Sequence, residues 1–217
     1  MFLDTAVISE WEALLPLGMF HGVTTNPTLL ERAGEQCSVQ RCGALAQQAF
    51  SLGASEFMLQ TWGSTAEEMI ETGVALSRVD PGRIVVKVPI TMGGTTAAAG
   101  LTARGVRVCL TACYAKQQAL VAGSVGAEYL APYLGRMTDE GKDGLYECEQ
   151  MQAIVDGLGA GTRILVASIR DVDALSTLAA AGLDTFTFSP AIARALFEVP
   201  LTTAAAAEFE AAAARGA

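Results

Sequence analysis

Arg83-Ile84-Val85-Val86-Lys87-Val88-Pro89-Ile90 sets one lysine in the middle of an otherwise apolar run. A short apolar stretch rich in β-branched residues reads as a strand buried on both faces, the pattern of a parallel sheet covered by helices. Three apolar neighbours on each side keep Lys87 away from a solvated face. Removal from water disfavours the ammonium form of a lysine, and the free amine is the nucleophile that attacks a ketone or aldehyde. Lys87 is therefore the candidate for an imine mechanism. The competing reading makes it a structural ion pair with a carboxylate such as Asp4, or a side chain that snorkels out of the strand end.

Outward from this strand the chain alternates β-rich runs with Ala/Leu-rich segments of helical spacing, which implies βα units. The spacing predicts strands over Phe2–Ala6, Gly22–Asn26, Ser55–Trp62, Arg83–Ile90, Val106–Cys113, Glu128–Leu134, Arg163–Ile169 and Thr185–Pro190. Helices are expected over Val7–Leu17, Thr65–Ser77, Tyr114–Gly123, Leu145–Gly159 and Asp171–Ala181, with Ser64 capping the second of these. Eight strands also suit a doubly wound open sheet, but that fold gathers its ligand chemistry at one switch point. Here Asp4, Asn26, Gln60, Lys87, Thr111, Tyr133 and Ser168 place one polar group near the carboxyl end of successive strands, roughly 22 to 35 residues apart. Such convergence favours a barrel mouth. The expectation is a single-domain α/β chain, residues 1–217, folded as a (β/α)8 TIM barrel with a C-terminal helical tail from about residue 201 to 217.

Composition narrows the function. The 217 residues are 51% hydrophobic and 17% charged, which argues against long disordered segments. A net charge of -9 disfavours nucleic acid, whose phosphates require a basic stripe. No apolar run reaches the length of a membrane span, and Met1-Phe2-Leu3-Asp4 lacks the basic start of a signal peptide, so a cytoplasmic protein without membrane partners is expected. Five cysteines, Cys37, Cys42, Cys109, Cys113 and Cys148, form no C-x-x-C pair and read as reduced thiols. With a single histidine, His21, assigned to a turn or the surface, and no carboxylate cluster at ligand spacing, neither a metal nor another cofactor is expected.

Leu3-Asp4-Thr5, the run from Gly22 to Thr28 with its Thr-Thr-Asn-Pro, Val85 to Thr91 with its Val-Lys-Val-Pro, Gly126-Ala127-Glu128-Tyr129, Ala131-Pro132-Tyr133 and Ala167-Ser168 occur in an order that resembles the small transaldolase family, and within it the fructose-6-phosphate aldolases. The likeness runs from Asp4 to about Phe209. It implies Lys87 as the Schiff-base lysine, Asp4 and Asn26 on the hydroxyls of a bound ketose, and Gln60, Thr111 and Tyr133 around a catalytic water. It also implies substrate contacts from Thr25 and Ala131, and phosphate binding by Arg136 and Ser168. A guanidinium and a strand-end hydroxyl suit a dianion. Arg170 and Lys142 read as solvated surface cations, Arg170 with a possible supporting role.

Transaldolases resemble this chain but carry Glu where Gln60 stands and Phe where Tyr133 stands. The pair present here implies reversible cleavage of a ketose such as fructose 6-phosphate to dihydroxyacetone and glyceraldehyde 3-phosphate. The alternatives are transfer of a dihydroxyacetone unit between sugar phosphates and a sugar-phosphate-binding barrel without catalysis. The chain departs from the aldolase pattern at Met58, Cys109, Gly93-Gly94 and Thr95-Thr96, positions expected to line or border the pocket. The resemblance implies a homo-oligomer of paired rings, a decamer, and the Ala-rich tail carrying Leu201 and Phe209 suits either a neighbouring subunit or its own barrel.

Overall fold

The computed structural model describes residues 1–216; Ala217, the last residue of the expected tail, lies outside the described residues. Eight parallel strands close into a barrel: β1 (Phe2–Asp4), β2 (Gly22–Thr24), β3 (Glu56–Gln60), β4 (Ile84–Pro89), β5 (Val108–Cys113), β6 (Tyr129–Pro132), β7 (Arg163–Val166) and β8 (Thr185–Phe188), with β8 pairing back onto β1. Around them run α1 (Ile8–Leu14), α2 (Pro27–Arg32), α3 (Val39–Ser51), α4 (Ala66–Ser77), α5 (Met92–Thr102), α6 (Gln118–Ser124), α7 (Leu134–Asp139), α8 (Gly144–Leu158), α9 (Val172–Ala180) and α10 (Pro190–Ala195), followed by the tail helix α11 (Pro200–Gly216). This is the (β/α)8 barrel that the alternation predicted. No helix among the described residues is long and apolar enough to cross a membrane.

Successive side chains of a strand point to opposite faces, and in a closed barrel both faces are buried. On β4, Ile84, Val86 and Val88 join the large apolar cluster between strands and helices. Val85 belongs to a separate cluster inside the barrel, with Phe2, Met58, Cys109, Tyr129, Ala131 and Leu165. Lys87 follows Val85 by two and so shares its inward face. In the outer layer Trp11 of α1 lies edge-on to Phe57 with ring centroids 5.7 Å apart, and its indole N–H donates to the Thr5 carbonyl at 3.0 Å. A buried indole thus keeps a hydrogen-bond partner.

Several boundaries differ from the sequence reading. The cap of α4 is Thr65, not Ser64: the Thr65 hydroxyl accepts from the Glu68 N–H at 3.2 Å, and the Glu68 carboxylate accepts from the N–H groups of Ser64 and Thr65. Only Thr65 stands three residues before that carboxylate, as a reciprocal cap requires. Strands β2, β4, β6 and β8 stop short because their carboxyl ends turn directly into helices. Asn26 caps α2 with its side chain, Tyr133 takes the N-cap position of α7 without a side-chain bond, and Arg136 lies within α7. Ser168 and Ile169 lie beyond the end of β7. Two glycines are enforced by close approach: a Cβ on Gly22 would sit 2.1 Å from the Glu56 carbonyl oxygen, and one on Gly94 would sit 1.8 Å from that of Pro89.

The amino-terminal end of the barrel is closed by charge. Arg107 Nε donates to Glu128 Oε2 at 2.7 Å, its Nη2 pairs with Glu56 and Glu128, and Nη1 donates to the Gly82 carbonyl at 3.0 Å. Hydrogen bonding to Glu128 and the charge of Glu56 hold the guanidinium's pKa above its ordinary value. Glu56 is buried, and its Oε1 has no hydrogen-bond partner. Arg107 is thus the main neutralising partner of a carboxylate removed from water. Replacing Arg107 with Met strands that charge, and a loss of about 3 kcal/mol in unfolding free energy is expected by denaturant titration, partly regained by adding Glu56→Gln. A loss below about 1 kcal/mol would show that the barrel floor does not depend on this pairing.

Candidate active site

At the opposite, carboxyl-terminal end of the barrel the strand-end residues converge. Lys87 is 4% exposed, and its Nζ donates to the Thr25 carbonyl at 3.0 Å. The ion pairs among the described residues do not include Lys87 or Asp4, so the structural pairing weighed from the sequence is not formed. In front of the amine lies a cavity of about 130 Å³ walled by Asp4, Asn26, Tyr133, Arg136 and Ser168, together with Thr28, Arg32 and Thr187. A second cavity of about 210 Å³ shares Asn26, Tyr133 and Arg136 with the first and is lined also by Gln60 and Thr111.

The elements place each group for local reasons. Gln60 and Lys87 are register partners on β3 and β4, so they stand at the same height. The Tyr133 hydroxyl and Thr111 Oγ1 share a hydrogen bond at 3.1 Å. Arg136 packs over the Tyr133 ring, 4.9 Å from its centroid, and Nη1 donates to the Tyr114 hydroxyl at 3.2 Å. Asn26 Oδ1 accepts from the Leu29 N–H at 3.0 Å, which commits its oxygen to the cap of α2 and leaves the amide NH2 as donor at the cavity wall. Asp4 Oδ1 accepts from the Thr24 hydroxyl at 2.6 Å.

Backbone strain gathers at the same end. Ala112 and Ser168 both adopt φ of +57°, the left-handed region that non-glycine residues avoid. Ala112 lies where the β5–β6 register shifts, beside Thr111, and Ser168 follows β7. Strain of this kind costs about 1–3 kcal/mol per residue and persists where surrounding structure imposes it, commonly at functional sites.

Two of the expected substrate contacts lie behind the cavity walls. Thr25 is buried with its hydroxyl on the Met58 carbonyl at 3.1 Å, and what it presents to the site is the carbonyl that holds Lys87. Ala131 is packed in the apolar cluster inside the barrel. Met58 and Cys109 share that cluster beneath the amine, and burial pushes the Cys109 thiol up to about 12. Gly93, Thr95 and Thr96 line a separate groove with Met92 and Val121. Arg170 is exposed and donates to Asp139 at 2.5 Å, while Lys142 Nζ donates to the Tyr114 carbonyl at 2.7 Å. His21 is exposed at the barrel's other end, against the Phe2 ring. No group of three or more His, Cys, Asp or Glu side chains among the described residues is placed to hold a metal ion.

Sequence reasoning did not find Arg32, Thr24 or Thr187. Arg32 ends α2, and only the direction of that short helix brings it to the cavity. Thr24 and Thr187 occupy inward positions of β2 and β8, but threonine is common in strands and neither gave a signal of its own.

Fold and site together define a class: a (β/α)8 barrel with a buried amine at the carboxyl-terminal mouth, where such barrels assemble their active sites. The description Transaldolase/Fructose-6-phosphate aldolase belongs to the family whose profile matches residues 1–216. A "Probable transaldolase" of Phenylobacterium zucineum is 34% identical over 205 residues, covering 93% of this chain and 90% of its own. Another from Ruegeria pomeroyi is 35% identical over 201 residues, with 93% and 90% covered, and one from Leptospira biflexa is 32% identical over 209 residues, with 96% and 95% covered. Among solved structures, one described as native KDPGal superposes with TM-score 0.60 at 15% identity, covering 87% of this chain and 80% of that one. A flavocytochrome b2 mutant gives TM-score 0.60 at 10% identity, covering 88% and 56%; likeness at this level concerns the fold alone. The chain belongs to the transaldolase/fructose-6-phosphate aldolase family, and membership makes it an enzyme of aldolase type acting on sugar phosphates.

Proposed function

We propose that the protein is a class I aldolase that reversibly cleaves a ketose phosphate such as fructose 6-phosphate, with Lys87 forming the imine. The observation that carries this reading is a buried amine held by a backbone carbonyl rather than by a carboxylate, facing a polar cavity. Attack of Lys87 Nζ on the ketose carbonyl forms a carbinolamine, and loss of water gives the imine. A base then takes the C4 hydroxyl proton, the C3–C4 bond breaks, its electron pair enters the enamine, and the aldehyde leaves. Protonation at C3 and hydrolysis return dihydroxyacetone and the free amine. The imine nitrogen takes up the electron pair released as the C3–C4 bond breaks, so the proposed chemistry needs no cofactor or metal.

Asp4 and the amide NH2 of Asn26 hold the donor hydroxyls, with Asp4 also helping to move charge as the amine reacts. Gln60, Thr111 and Tyr133 hold the water that carries protons, consistent with the Tyr133–Thr111 hydrogen bond and the cavity these residues share. Arg136 and Ser168 receive the phosphate of the aldehyde half. Thr25 acts through its carbonyl, and Ala131 supports the site from inside the barrel. The second reading, transfer of a dihydroxyacetone unit, is favoured by the names of the similar proteins. Cleavage is preferred because Gln60 and Tyr133 stand where transaldolases carry Glu and Phe.

Incubation with fructose 6-phosphate or dihydroxyacetone followed by borohydride is expected to give a reduced adduct that peptide mass spectrometry locates at Lys87 and that is missing in Lys87→Ala. Absence of an adduct with either ketose removes the imine mechanism for them and favours a non-catalytic sugar-phosphate binder. Release of dihydroxyacetone from fructose 6-phosphate alone separates cleavage from transfer. Tyr133→Phe is expected to slow that release at least about tenfold while the Lys87 adduct still forms. Undiminished release would take the tyrosine out of the proton path.

The proposal extends to a homo-oligomer, with a decamer as the expected size. α11 projects Leu201 and Phe209, 83% and 72% exposed, and a second copy is the proposed cover for them. Sedimentation analysis is expected to show an assembly larger than one chain that weakens when residues from 200 onward are removed. A monomer of the full chain counts against it.

A further inference from the structure

Asp4 is held by a hydroxyl that is itself held. Thr24 Oγ1 lies 2.6 Å from Asp4 Oδ1 and also 2.6 Å from Thr187 Oγ1. Both threonines are almost fully buried, at 0% and 1% exposure. A threonine hydroxyl has one proton to give, and an ionised carboxylate only accepts. Thr24 must therefore donate to Asp4, and the contact between the two threonines has one remaining direction: Thr187 donates to Thr24. Donation into Thr24 polarises its O–H and strengthens the bond it makes to the carboxylate.

The strand order explains why three residues so far apart in sequence form one chain. β1 pairs with β2 on one side and β8 on the other, with Asp4 opposite Thr24 and Phe2 opposite Thr187 in register. Thr24 and Thr187 point into the barrel and meet across β1. Thr187 also lines the cavity in front of Lys87, so the chain of hydroxyls ends at the wall where the ligand would lie.

We propose that Thr187, acting through Thr24, is a positioning residue for Asp4. The two hydroxyls in series fix Oδ1 and leave Oδ2 as the oxygen presented to the bound sugar. Loss of the Thr187 donor frees the Thr24 hydroxyl to turn and loosens the carboxylate. The expected consequence is a slower chemical step with little change in ketose binding, because Asn26, Arg136 and Ser168 still hold the substrate. The inference rests on the imine reading of the site, since it concerns what Asp4 does during turnover.

The test compares wild type with Thr187→Val, Thr187→Ser, Thr24→Val and the double valine variant in cleavage of fructose 6-phosphate, with borohydride trapping in parallel. Thr187→Val is expected to lower kcat about tenfold, keep KM within about twofold and still give the Lys87 adduct, and serine should restore the rate. A relay in series predicts that the double variant is no slower than Thr24→Val alone. Wild-type rates in Thr187→Val, failure of serine to restore, or additive losses in the double variant each overturn the proposal. Should the valine variant not fold, Thr187→Cys, of similar size and a weaker donor, replaces it with the same expectations. A wild-type chain without adduct or turnover would refute the aldolase reading instead. The relay is then judged from the Thr24 hydroxyl proton by nuclear magnetic resonance: protected from exchange in wild type and Thr187→Ser and lost in Thr187→Val, whereas protection in the valine variant overturns it.

Discussion

Two buried faces on every strand are the constraint from which the rest of this molecule follows. Closing eight parallel strands removes both edges and covers both faces, so nearly every strand side chain belongs either to the shell under the helices or to the interior. Period-two alternation then decides which. The parity that sends Ile84, Val86 and Val88 outward sends Val85 and Lys87 inward, and the same rule places Met58 below Gln60 and Cys109 below Thr111. An apolar layer inside the barrel therefore lies directly under a polar one. The polar groups are out of contact with bulk water below and open to a cavity above.

The two ends of the barrel solve the problem of buried polarity differently. At the amino-terminal end Arg107 and two carboxylates neutralise one another, and the result is a closed floor. At the carboxyl-terminal end the groups are held without being neutralised: Lys87 has a carbonyl, Asp4 has a hydroxyl, and Tyr133 has Thr111. The proposed imine chemistry calls for the second arrangement, since an amine paired with a carboxylate is held as the ammonium form. The left-handed backbone at Ala112 and Ser168 belongs to the same end, where rigid neighbouring elements sustain it.

Much of the candidate site was legible because its residues stand out from their surroundings. A lysine among valines, an Asn-Pro opening a helix, and single polar groups at strand ends are local features, and they mark Lys87, Asn26, Asp4, Gln60, Thr111, Tyr133 and Ser168 without any three-dimensional information. The roles of Thr25 and Asn26 needed coordinates. Thr25 turns its hydroxyl onto a neighbouring strand and offers its carbonyl, and Asn26 divides its amide between a helix cap and the cavity. Both follow from hydrogen-bond direction, which residue type alone does not specify. Arg170 shows the converse: a cation in a promising place is taken up by Asp139.

By itself the sequence determined the repeating βα architecture, because apolar periodicity changes between strands and helices, and it determined which segment holds the buried lysine, because burial can be read from neighbours. Tertiary structure alone decided the contacts that cross the barrel. Asp4, Thr24 and Thr187 meet since β1 lies between β2 and β8, an adjacency created by closure. Glu56, Arg107 and Glu128 meet at the floor because β3, β5 and β6 all begin at that end of the barrel. Local sequence fixes what a strand presents to each face; which residues a face looks upon depends on strand order and register, and the β8–β1 pairing that completes both joins the two ends of the chain.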